Sequence, residues 1–263
     1  MKFQQKCKIL HNKKIGTNCY HLKISTPEIA LHARPGQFVH IRCKDTLTPL
    51  LRRPMSIFNA DKNSIEIIYH LIGHGTDALS KRKPGELLDI IGPLGNGFNF
   101  PNSSSILLVG GGIGLVPLFY LAKKLSQKKK RIKIFYGARS KKELFLLKYF
   151  RSLDNTQIKI STDDGSIGYK GHITELVETY LESISKKTGD LFSLQIYSCG
   201  PKPMLIAIKQ LVNRYKISCE ISLEEYMACG VGACLSCVCK VKDNQYKRVC
   251  QDGPVFNANG VIL

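Results

Sequence analysis

Eighteen consecutive residues without a charge, Ser105 to Ala122 (SILLVGGGIGLVPLFYLA), have to leave water, and few structures can hold them. A run of that length raises a membrane-spanning helix. Gly110, Gly111, Gly112, Gly114 and Pro117 interrupt it, and divide it into a short buried strand, a turn and a helix. The chain beyond it keeps that rhythm: a helix LVPLFYLAKKLSQKK, a strand RIKIFYGAR (Arg131–Arg139), strand-like QIKIST, a helix ITELVETYLESIS, strand-like LQIYSCG and a helix PMLIAIKQLVNRYK. Strands alternating with helices of ten or more residues predict a doubly wound parallel sheet, an α/β domain over residues 102–222.

Upstream the rhythm differs. QFVHIRC (Gln37–Cys43), SIEIIYHLI (Ser64–Ile72) and ELLDIIGPLG (Glu86–Gly95) alternate or run apolar between Gly and Pro, which predicts an antiparallel β-barrel over residues 1–101. The polar FPNSSS marks the boundary as a linker. From Leu223 both patterns stop, and residues 223–263 are expected as a small cysteine-rich module. At 263 residues and 43% hydrophobic, the chain is long enough for two domains and a module, with an ordinary globular composition.

The first twenty residues hold several lysines and no apolar stretch, so no secretory signal is expected. That implies a cytoplasmic, reducing compartment, in which disulfides are not the use of ten cysteines. Cys229, Cys234 and Cys237 give C-x4-C-x2-C, with twelve residues between Cys237 and Cys250, the plant-type spacing of a [2Fe–2S] cluster. Two irons need four thiolates, and here three come from one tight loop. Gly230 and Gly232 let its backbone bend, and Ala228 and Ala233 add little bulk. Structural zinc sites pair two short knuckles instead, and no histidine occurs after His172. Cys239 is set apart as a buried neighbour.

The charge of +19, from 39 Lys and Arg against 20 Asp and Glu, raises a zinc-containing, basic nucleic-acid-binding protein as a rival. The basic residues are spread along the chain, with short runs such as Lys128–Arg131 and no interleaved aromatics. They describe a solvated lysine-rich surface rather than a nucleic-acid interface.

Further stretches suit phosphate-bearing cofactors. In LRRPMSIFNA (Leu51–Ala60), Arg53 offers a planar fork for a pyrophosphate and Ser56 a hydroxyl for a flavin ring. GHGT (Gly73–Thr76) and GPLGNGF (Gly92–Phe98) offer backbone amides to phosphates. The glycine loop fits Gly112-x-Gly114-x-x-Pro117, between a strand and a helix, where a dinucleotide pyrophosphate meets a helix N-terminus. After the second strand stands YGARS, where an acidic ribose-binding residue is usual. Arg139 suits a 2′-phosphate and Asp163 with Asp164 a ribose diol, so NAD and NADP both stay open. In YSCGPKPM (Tyr197–Met204), Cys199 and Gly200 end a strand at the ligand-binding edge of such a sheet. Cys199 is there either a nicotinamide neighbour or a buried turn cysteine.

Taken in chain order, RRPMS, GHGT, GGGIGLVP, CGPKPM and CGVGACLSC with Cys250 resemble the ferredoxin–NADP reductase superfamily carrying a C-terminal [2Fe–2S] module. Within it, the chain is similar over essentially its whole length to the electron transfer subunits of NAD-dependent (class 1B) dihydroorotate dehydrogenases. MACGVGAC, RVCQDGPVF and TDDGSIGYKG are its most specific parts. The resemblance implies that Arg53, Pro54, Met55, Ser56, Ile68, Tyr69, His70, Gly75 and Thr76 bind FAD. It implies that Cys229, Cys234, Cys237 and Cys250 hold the cluster, and that the α/β domain binds NAD. It also implies a separate FMN-containing subunit that oxidises dihydroorotate, in a heterotetramer with two of each chain. Electrons would pass through the cluster and FAD to NAD+ in de novo UMP biosynthesis. Subunits of NADPH-dependent ferredoxin reductases or sulfide dehydrogenases share these cofactors and are the alternative.

Overall fold

The computed structural model describes residues 1–101, 103, 105–188, 191 and 193–263; Asn102 and Ser104 of the expected linker lie outside the described residues. By compactness the chain forms two units. One comprises Met1–Phe98, Glu224–Cys239 and Tyr246–Val255, the other Asn99–Leu223, Lys240–Gln245 and Phe256–Leu263. Residues 223–263, expected as one module, are thus shared between the two.

The first unit is built on β1 (Phe3–Gly16), β2 (Cys19–Ser25), the short α1 (Pro27–His32), β3 (Phe38–Arg42), β4 (Arg53–Ser56), β5 (Asn59–Ala60), β6 (Ser64–His70), α2 (His74–Ser80) and β7 (Leu87–Leu94). The strands run antiparallel in the order β4-β3-β7-β1-β2-β6-β5. The two ends of that order are one stretch of chain. The Ile57 amide donates to Gln37 O at 3.0 Å and the Phe58 amide to Glu66 O at 2.8 Å, so residues 53–60 cross from β3 to β6 and close the sheet into a barrel. Closure leaves few backbone groups unpaired and buries Ile57 and Phe58 with Ile24, Ile41 and Ile65.

The second unit holds β8 (Ser105–Gly111), α3 (Val116–Gln127), β9 (Arg131–Ala138), α4 (Leu147–Arg151), β10 (Thr156–Thr162), β11 (Tyr169–Lys170), α5 (Ile173–Thr188), β12 (Leu194–Cys199), α6 (Lys202–Tyr215) and β13 (Ser218–Ser222). Later in the chain, β14 (Val238–Lys240) pairs with β15 (Tyr246–Arg248), and β16 (Val255–Asn257) ends the large sheet. That sheet runs β11-β10-β9-β8-β12-β13-β16, and its pairs from β11 to β13 are parallel. From β8 the chain winds one way through β9 and β10, then returns to the other side of β8 with β12. The carboxyl ends of β8 and β12 therefore flank the switch point where open α/β sheets take ligands. The uncharged run Ser105–Ala122 is β8, a 3-10 turn at Gly112–Leu115 and the start of α3. Among the described residues no helix is long and apolar enough to cross a membrane.

Candidate functional site

The cysteine loop is shaped by backbone that leaves the ordinary regions. Gly230 (φ +70°), Gly232 (φ +89°) and Leu235 (φ +60°) turn it back on itself. The turn directs three amides at one sulfur: Val231, Ala233 and Cys234 donate to Cys229 Sγ at 3.4, 3.3 and 3.4 Å. Cys250 reaches the same region behind β15, and its amide donates to Cys237 Sγ at 3.4 Å. The Arg248 guanidinium braces the loop at the Gly232 carbonyl, 3.4 Å, and is itself held by Asp252 at 3.1 Å.

The sulfurs thus group as two pairs, Cys229 with Cys234 and Cys237 with Cys250. Among the described residues no three His, Cys, Asp or Glu side chains gather as one ion's ligand set. A binuclear centre takes two thiolates per iron, and amides aimed at sulfur stabilise the anionic form. The donor set therefore fits a [2Fe–2S] centre. The two pairs differ in setting. The Ser236 hydroxyl, then its amide, bring Cys234 down to about 6, whereas burial, and after it Cys237, pushes Cys250 up to about 12. Cys239 is buried near them in β14, and all ten cysteines are unbridged.

Gly230 rests on the imidazole of His40 from β3, a fully buried residue absent from every sequence-based expectation. Burial, helped by the charge of Arg52, brings His40 down to about 4, so the ring is neutral at physiological pH. Its only signal in the sequence is a polar residue in the otherwise apolar FVHI.

In the barrel, β4 and the start of α2 bring Arg53 and Gly75 together. A Cβ on Gly75 would stand 2.5 Å from Arg53 Nε and 2.8 Å from Cζ, so any larger residue would push the guanidinium from its present seat. Arg53 Nη1 donates to Leu51 O at 2.7 Å, and its neighbour Arg52 is tied to the Asp89 carboxylate at 2.5 Å. This glycine cradle under a guanidinium fits the pyrophosphate of FAD. Pro54 and Ser56 lie half-buried on β4, and Met55 is buried between them.

Other expected FAD residues have structural partners. Thr76 Oγ1 accepts from the Ile72 and Gly73 amides at 2.9 and 3.2 Å and donates to Gly73 O, shaping the turn into α2. Tyr69 gives its hydroxyl to Asn12 Oδ1 at 3.1 Å and stacks on Tyr20 at 5.6 Å. Ile68 is buried and His70 half-buried at the end of β6. In the loop Gly92–Phe98, expected to offer its amides to phosphate, two of them are spent on protein. Asn96 N donates to Gly253 O at 2.5 Å and Phe98 N to Pro35 O at 2.8 Å. The two-residue alternation of β7 carries no sign of that docking.

In the α/β unit the glycine loop and the β12 turn meet at the switch point. A Cβ on Gly114 would lie 2.5 Å from Gly200 Cα and 2.6 Å from Cys199 O, and one on Gly200 would lie 2.7 Å from Met204 Cε. Gly112 sits at φ +55° with open space beside it, and the buried Pro117 starts α3 rather than facing a ligand. Cys199 is fully buried at the end of β12. The close-packed glycines leave backbone amides facing an open edge, which fits a dinucleotide pyrophosphate. At the next edge the amides of Asp163 and Asp164 donate to Ala138 O and Arg139 O, both at 3.1 Å, so the ribose-binding and phosphate-binding candidates stand side by side. Asp163 lies 3.5 Å from His172, and Arg139 is exposed.

A closed antiparallel barrel, a parallel sheet with a glycine-lined switch point and a four-cysteine loop define an oxidoreductase of the ferredoxin–NADP reductase type. Residues 224–262 match the family described as the iron-sulfur cluster binding domain of dihydroorotate dehydrogenase B, and residues 108–210 the oxidoreductase NAD-binding domain. The structure of an NADH-dependent reduced ferredoxin–NADP oxidoreductase, studied for flavin-based electron bifurcation, superposes with a TM-score of 0.82 at 29% identity, over 97% of this chain and 89% of that one. The dihydroorotate dehydrogenase B (NAD(+)) electron transfer subunit of Caldanaerobacter subterraneus subsp. tengcongensis is 39% identical over the full length of both chains. That of Bacillus mycoides is 42% identical over 97% of each. The chain belongs to the family of dihydroorotate dehydrogenase B electron transfer subunits.

Proposed function

We propose that this chain carries electrons from dihydroorotate oxidation, performed on a separate FMN-containing subunit, to NAD+ in pyrimidine biosynthesis. Two copies of each chain would form the complex in the cytoplasm. The observation that carries the reading is the paired sulfur set, with three amides aimed at Cys229 Sγ, in a chain of this family. Bound, the cluster supplies one-electron transfer, and FAD the exchange between single electrons and hydride.

The chain's own residues bind and orient. Cys229, Cys234, Cys237 and Cys250 would hold the cluster, with Arg248 fixing the loop that presents them. Arg53, seated on Gly75, would neutralise the FAD pyrophosphate, while Pro54, Met55 and Ser56 line the strand beneath the flavin. Ile68, Tyr69, His70 and Thr76 would shape the rest of that pocket, Tyr69 and Thr76 through structure they hold rather than through free hydroxyls. Gly112, Gly114 and Gly200 would admit NAD to the sheet edge, with Cys199 behind the nicotinamide. Residues 1–101, 102–222 and 223–263 would carry FAD, NAD and the cluster respectively.

Purification of the tagged chain from its own cells tests this. The expected result is a coloured complex with FAD, iron and sulfide in this chain and an FMN subunit that oxidises dihydroorotate. Recovery with a glutamate-synthase-like flavoprotein would instead favour the ferredoxin–NADP oxidoreductase alternative, which the 29% identical structure supports. A colourless protein containing zinc would defeat both.

A further inference from the structure

Among the described residues, His40 is the one buried polar side chain near the cysteine loop to which the proposed function gives no role. It lies in the middle of β3, fully buried, and neither Nδ1 nor Nε2 has a hydrogen-bond partner. An unpaired buried polar atom is destabilising, a cost that an apolar side chain of similar size would not carry. The ring faces the cluster loop. A Cβ on Gly230 would stand 2.5 Å from His40 Nδ1 and 3.0 Å from Cε1, so the residue after Cys229 sits directly on the imidazole. The backbone carbonyls of Cys229 and Arg52 approach the ring as acceptors for its N–H groups, but neither reaches full hydrogen-bond geometry. Across β3, His40 is in register with Pro54 of the strand that also carries Arg53. An imidazole, with at least one N–H to give, therefore stands between the flavin strand and the first cysteine turn.

We infer that His40 is a positioning residue for the [2Fe–2S] centre: its ring N–H bonds the Cys229 turn when the cluster is bound, fixing that thiolate and making the centre easier to reduce. A donor directed at the cluster's ligands stabilises the negative charge that reduction adds. The inference rests on the [2Fe–2S] reading of the cysteine loop.

The test is made on the anaerobically purified full chain as wild type, His40→Leu and His40→Asn. Iron, sulfide and FAD content, the cluster's EPR signal and its midpoint potential in a mediated dithionite titration are measured. In His40→Leu, FAD stays bound, the EPR signal changes, and the reduction equilibrium weakens about tenfold, a fall of ~59 mV for one electron. His40→Asn keeps a donor near the Nδ1 position and returns the midpoint to the wild-type value. Loss of iron with FAD retained in His40→Leu also supports the role. An iron-loaded His40→Leu with wild-type midpoint and EPR signal overturns it. Should His40→Leu lose FAD as well, His40→Asn decides: a wild-type midpoint supports the role and a midpoint lowered about tenfold in equilibrium overturns it. Wild-type protein holding FAD but neither iron nor sulfide would instead overturn the cluster reading itself.

Discussion

Arg53 shows how little of a side chain's role resides in its identity. The sequence offered a planar cation in a turn; the fold laid it across Gly75, where a larger residue would displace it. Charge-assisted bonds to a phosphate contribute about 1.5–3 kcal/mol, so Arg53→Ala is expected to weaken FAD binding about tenfold or more. Flavin released on dialysis measures it, and unchanged retention would remove Arg53 from the pyrophosphate site. Tyr69 and Thr76 went the other way. The family resemblance placed both among the FAD-binding residues, and their hydroxyls are engaged by Asn12 and by the Ile72 and Gly73 backbone. His40 was silent for the same reason, because a residue's partners are set by the chain that folds over it.

At the scale of elements, the glycine loop before α3 works by packing. Gly114 meets the backbone of Cys199 and Gly200, which cannot rotate away as a flexible side chain would. Gly114→Ala is expected to part the two loops and raise the KM for NADH about tenfold, roughly 1.4 kcal/mol, with the flavin spectrum unchanged. Steady-state reduction of an artificial dye measures it. The β2–β6 ladder carries a different device. Burial works to raise the Glu66 carboxyl, but His21 at 2.7 Å, Asn59 at 2.9 Å and the Lys23 charge hold it below the usual carboxylate range. A carboxylate whose folded pKa is depressed stabilises fully above its unfolded value of about 4.3 and loses that contribution as pH falls through the lower folded value. Melting temperatures across that acid range should therefore fall less steeply in Glu66→Gln than in wild type; parallel curves would contradict the assignment. Three strands of the barrel and four of the parallel sheet were legible from alternation and apolar runs. The longest, Phe3–Gly16, was not, because its exposed face is rich in Gln and Lys and its apolar residues are few.

For the whole molecule, the division of residues 223–263 has a consequence. The cluster-bearing stretches Glu224–Cys239 and Tyr246–Val255 belong to the same compact unit as the barrel. A bound metal centre stabilises whatever unit holds it. Removing iron with a chelator under anaerobic conditions is expected to lower the temperature at which FAD fluorescence appears, because the barrel loses its braced loop. Identical release temperatures would show the loop to be energetically separate. What the sequence determined by itself was local chemistry: the cysteine spacing, the glycine turns, the alternation that sorts strands from helices, and the family these motifs mark. Each arises from backbone geometry over a few residues, so each is written in adjacent letters. Only the tertiary structure decided that residues 53–60 close the barrel, that the Asn96 and Phe98 amides go to protein, that Arg53 lies on Gly75, and that His40 lies under Gly230. Those outcomes depend on contacts between distant stretches, and a contact made by burial leaves no periodic trace in either of the segments that make it.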